Sequence, residues 1–97
     1  MVIGITGFIL FSTFSNKEET VGIGYSVYQN GSGWGYDILA DGETLIHQPF
    51  IPAIDGNNPF PDKASAEAAA RRVIDKLVKG ESPALTREEV TTILTPP

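Results

Sequence analysis

Between residues 21 and 48 turn chemistry cuts the chain twice, at Asn30-Gly31-Ser32-Gly33 and at Asp41-Gly42, and these cuts limit the fold more than any other feature. Asn and Gly accept the positive φ of a tight reversal, so each cut sends the backbone straight back. The pieces between them read as strands. From Val21 to Gln29 the bulky Val21, Ile23, Tyr25 and Val27 alternate with Gly22, Gly24, Ser26 and Tyr28, the period of a half-buried strand. Trp34 to Ala40 and Glu43 to Gln48 follow as the second and third, and the short connections make the set an antiparallel meander.

Pro49 and Pro52 remove ladder donors, so the sheet ends there and residues 48–60 run as an irregular connection. Phe50, Ile51, Ile54 and Phe60 are too apolar for a solvated loop, which predicts a segment wrapped on the sheet edge with Ile51 and Phe60 inserted. Asp62 is the expected N-cap of a helix from Ala64 to Lys79, stopped by Gly80, with Ala66, Ala70, Val73, Ile74 and Leu77 at helical spacing. Thr86-Arg87-Glu88-Glu89 has the spacing of a capping box ahead of Val90, Ile93 and Leu94, so a short second helix closes the chain. The expected class is α+β: a three-stranded meander, one long helix on one face of it, and a short C-terminal helix.

A chain of 97 residues holds one domain at most, and with no cysteine it has neither disulfides nor thiolate metal sites to stabilise a small core. Its formal charge of -5 has the wrong sign for a surface that neutralises phosphates, which argues against nucleic acid as a partner. Met1 to Phe14 carry no charged side chain and are densely apolar, shorter than a bilayer-spanning helix and suited to the apolar part of a secretory signal. Thr13 and Ser15 then place small residues before a cut ahead of Asn16. Residues 1–15 are accordingly read as a signal peptide or membrane anchor, 16–20 as a linker, and 21–97 as one domain. The competing reading makes the apolar run a buried N-terminal strand. Export to the periplasm or envelope is the expectation, with membrane contact through the N-terminal segment alone.

Trp34-Gly35-Tyr36-Asp37-Ile38, the run Ile46-His47-Gln48-Pro49-Phe50-Ile51-Pro52-Ala53, and Gly56 and Phe60 ahead of an Ala-rich helix ending in Lys79-Gly80 form a recognisable pattern. It resembles a bacterial family of short exported domains of unknown function, DUF4907, over about residues 34–94, and the His-Gln-Pro-x-Ile-Pro string is its most specific part. The resemblance implies export and a compact domain. That family has no assigned activity, so the resemblance carries over no catalytic role.

His47 is the only histidine and the only side chain whose ordinary pKa lies near neutrality, which makes it the first candidate for chemistry. Its surroundings depend on the turn at Asp41-Gly42. A two-residue turn pairs Ala40 with Glu43 and sets His47 opposite Tyr36; a glycine bulge at Gly42 sets it on the face of Asp37 instead. Both registers are open. The candidate binding residues are Trp34, Tyr36, His47, Gln48, Pro49 and Pro52; no catalytic residue, metal site or cofactor is assigned. None of Ser26, Ser32, Ser65 and Ser82 sits in a Gly-x-Ser-x-Gly elbow, and Asp55-Gly56-Asn57-Asn58 lacks the length and closing Glu of a calcium loop.

One long helix covers one side of a sheet. The other side carries small residues, so the leading expectation is a non-catalytic binding or assembly module of the envelope, meeting a protein partner or its own copy through the sheet face or edge. Two alternatives stand beside it: a small ligand-binding or enzymatic domain centred on His47, Gln48 and Tyr36, and an inhibitor presenting residues 49–59.

Overall fold

The computed structural model describes residues 22–95; the leader, the linker and Val21 lie outside the described residues. Three strands, β1 (Ile23–Asn30), β2 (Gly33–Ala40) and β3 (Glu43–Gln48), form an antiparallel sheet in that spatial order. The helices α1 (Lys63–Val78) and α2 (Arg87–Leu94) follow, so the architecture is the α+β meander with two helices that turn and cap chemistry predict. Gly31 has φ 64 in the first turn, and Asp41 and Gly42 have φ 51 and 82 in the second. Two successive positive φ values are what a two-residue hairpin needs to match strand twist.

The register of β2 on β3 combines the two alternatives. Ala40 pairs with Glu43 and Leu39 with Thr44, as a two-residue turn requires, yet Ile38 pairs with Ile46 and Asp37 with His47. The ladder shifts between Ile38 and Leu39, so Leu45 is the unpaired extra residue of a β-bulge, and it is 56% exposed. The shift arises within β3, not at Gly42.

Val27, Tyr36 and Ile38 point from the sheet into one core with Ala66, Ala69, Ala70, Val73 and Ile74 of α1. Those helical residues recur at three- and four-residue intervals, and the three alanines are wholly buried, which lets the helix backbone sit close to β1 and β2. Asp62 Oδ1 accepts from the Ser65 amide at 2.7 Å and caps α1. The other end closes as a Schellman motif: Gly80, with φ 76, donates to the Leu77 carbonyl and Glu81 to that of Lys76. At α2 both halves of the capping box are made, Glu89 N–H to Thr86 Oγ1 at 3.1 Å and Thr86 N–H to Glu89 Oε1 at 2.8 Å.

The connection between β3 and α1 is a closed loop with both ends on β2. Gln48 pairs with Tyr36, and Phe60 bridges Trp34 with reciprocal backbone bonds of 2.8 and 2.9 Å. Phe60 is fully buried against the Tyr36 ring, while Ile51 and Ile54 pack on the core from half-buried positions. Glycines on β2 make room for this return: a Cβ on Gly33 would lie 2.5 Å from the Phe60 carbonyl oxygen, and one on Gly35 would lie 2.8 Å from that of Gln48. Among the described residues, no helix is long and apolar enough to cross a membrane.

Candidate functional site

The bulge divides the sequence candidates between the two sides of the sheet. Tyr36, only 2% exposed, lies on the α1 side, where burial pushes its phenol up to about 12. Trp34 is on that side too, half-buried against the core, with Lys63 Nζ 5.9 Å from its ring centroid. Gln48 pairs with Tyr36 and donates its side-chain amide to the Phe50 carbonyl at 2.6 Å. Pro49 offers its carbonyl to Asn30 Nδ2 at 2.8 Å, and Pro52 is half-buried in the loop. These contacts serve the fold.

His47 stands on the opposite side, with its side chain 62% exposed. Strand alternation and the observed pairing place Ser26, Asp37 and His47 in one row across β1, β2 and β3, with Tyr28 two residues along from Ser26. Asp37 Oδ1 lies 2.6 Å from His47 Nδ1. The Tyr28 ring stacks on the imidazole at 5.6 Å and 8°, and its edge reaches over Gly35, where a Cβ would meet Tyr28 Cζ at 2.9 Å. Tyr28 Oη is 3.5 Å from the same Nδ1, too far to compete with the carboxylate, so the contact is one of stacking. Partial burial and the negative charge of Asp37 raise the Tyr28 phenol.

With Nδ1–H donated to Asp37, the neutral imidazole presents Nε2 as an acceptor; protonated, it presents a donor. A carboxylate-oriented histidine is half of a hydrolytic set. Among the described residues Ser26 is the hydroxyl of the same row, and Asp37 stands between it and His47, two strand spacings or about 10 Å apart. Among the described residues no three His, Asp or Glu side chains gather as a metal cluster. An open groove lies between α1 and α2, away from the sheet row, with Ala68, Arg71, Glu88, Thr92 and Ile93 in its lining.

A distinct cluster ties the helices together. Lys76, 7% exposed, donates to Glu89 Oε1 at 2.7 Å and to the Ala84 carbonyl at 2.6 Å, and Arg72 Nε reaches Glu89 Oε2 at 2.9 Å. The Lys76 bond, then the Thr86 amide and Arg72, hold the Glu89 carboxyl down at about 2. No buried side-chain nitrogen or oxygen there lacks a partner, which marks a structural clasp.

One signal present in the sequence escapes a motif-by-motif reading. No Lys or Arg occurs between Lys17 and Lys63, while Asp37, Asp41, Glu43 and Asp55 lie in that interval. All Lys and Arg side chains from Lys63 to Arg87 belong to α1, α2 or the cap of α1, so the sheet layer is acidic and the helical layer carries both signs.

A family model described as "Domain of unknown function (DUF4907)" matches residues 25–92, from β1 into α2. Neither a curated protein nor a solved structure matches the chain.

Proposed function

This chain belongs to the DUF4907 family of domains of unknown function, and from that premise we propose that it acts as a non-catalytic binding module of the bacterial envelope. The observation that carries the reading is the side of the sheet opposite α1. Among the described residues neither helix contacts it; Pro59 and Pro49 close over Gly33 and Gly35 at one end, and beside them it presents a prearranged group of Tyr28, Asp37 and His47. Stacking and the Asp37 hydrogen bond restrict the His47 ring before any partner arrives, which lowers the entropy lost on binding. Export rests on the uncharged apolar run Met1 to Phe14.

Photo-crosslinking tests the reading. A photoreactive residue in place of Tyr28, and another in place of Glu81 on the helical side, are each introduced into the full chain and irradiated in an envelope fraction. A discrete adduct from position 28 and none from position 81 is expected. Adducts from position 81 alone, or from neither, defeat the proposal.

The Asp37–His47 pair favours one second reading, a small-ligand or enzymatic site using Nε2 as base. His47→Ala separates the two: it abolishes that activity outright, whereas a binding face spread over Tyr28 and Asp37 keeps part of its affinity.

A further inference from the structure

Resting on the binding-module reading, we infer that the partner is a basic, extended protein segment that adds to the sheet as a strand along the outer edge of β3. Among the described residues β3 is hydrogen-bonded on one side only, to β2, and neither helix touches it. Such an edge offers ladder donors and acceptors to any extended chain. It also carries exposed apolar surface, since Leu45 is 56% exposed at the bulge and Ile46 is half-buried beside it.

Charge selects the occupant. Residues 18–62 contain no Lys or Arg, and the β2–β3 hairpin carries Asp37, Asp41 and Glu43, the last on the edge strand itself. A second copy brings the same acids and the same bulge, so two β3 edges repel and match poorly in register. A segment bearing Lys or Arg meets complementary charge instead, with a cation opposite Glu43. His47, on β3 itself, lines the open face of the added strand.

The test uses the isotope-labelled full chain and an octapeptide of alternating Lys and Val, followed by amide shifts and hydrogen exchange. The expected result is saturable protection of amides within residues 43–48, weakening when salt rises from 50 to 200 mM, as screened charge requires. Alternate backbone N-methylation of the peptide should lower affinity at least tenfold, and Glu43→Gln about two- to fivefold, the range of one cross-strand charge pair. Glu43 is exposed and outside the core, so this variant folds. Equal binding by the N-methylated peptide, or perturbations confined to α1 and α2, overturns strand addition. Equal binding by a Glu-Val octapeptide, or dimerisation through β3, overturns the basic partner and leaves the binding-module reading standing. That reading falls separately, by the crosslinking result at position 28.

Discussion

Asp37 and His47 face each other across β2 and β3, Oδ1 to Nδ1 at 2.6 Å, because the backbone spends Leu45 on a bulge two residues before the histidine. Had Leu45 paired in the ladder instead of bulging out, the turn at Asp41-Gly42 would have set His47 across from Tyr36, on the core side. The bulge therefore converts the only histidine from a packing residue into an exposed, oriented one.

Deleting Leu45 should then leave the contact in place. The ladder Ala40–Glu43, Leu39–Thr44, Ile38–Ile46 and Asp37–His47 becomes continuous, and the residue lost is exposed. We expect a stability change on the order of 1 kcal/mol or less and an intact nuclear Overhauser contact between the His47 ring and Asp37. Loss of that contact refutes the bulge assignment.

Gly35→Ala and Gly31→Ala should fail for different reasons. A methyl on Gly35 meets the Gln48 carbonyl oxygen at 2.8 Å and Pro49 Cα at 2.9 Å, so the loop must move, at a cost of about 1–3 kcal/mol. At Gly31 nothing lies within 4 Å, and the penalty comes from φ 64 alone, about 1 kcal/mol. Denaturant titration ranks the two, and only Gly35→Ala should disturb the Tyr28–His47 stacking.

Phe60→Ala should cost about 3–5 kcal/mol as a fully buried aromatic truncated in a core. It should also loosen the loop, since Phe60 closes it on Trp34. Faster hydrogen exchange at the Trp34 and Ile51 amides, beyond what global destabilisation explains, is the expected signature.

Acid should open the helical clasp. Glu89 is lowered from 4.5 to about 2 in the folded chain, so the unfolded state binds its proton first as pH falls. Its contribution is complete above about pH 4.5 and is lost progressively toward pH 2. Glu89→Gln should flatten the fall in melting temperature across that window and lower the plateau above it. Glu88→Gln, on an exposed neighbour outside the clasp, should leave that fall in place.

Strands, turns and caps were legible in the residues because each depends on neighbours a few positions apart. The positive φ of Asp41 and Gly42, the Asp62 cap and the Thr86–Glu89 box all stand where local chemistry puts them. Phe60 was equally readable, since an aromatic that large in a proline-rich connection has nowhere to go but the core. Of the six candidate binding residues, Trp34 and Tyr36 share a face with His47 only in the register without a bulge, and in the observed register the sheet separates them from it.

The order of the elements, their approximate ends and the acidic character of the first half of the domain were settled by the amino-acid sequence alone. Which side of the sheet His47 occupies, and that Asp37 and Tyr28 are its companions, was decided only in three dimensions. Side chains alternate with a period of two, so one unpaired residue inverts everything after it, and whether β3 bulges depends on the fit of Ile46 beside Ile38 over the core, a contact between strands that neither strand specifies by itself.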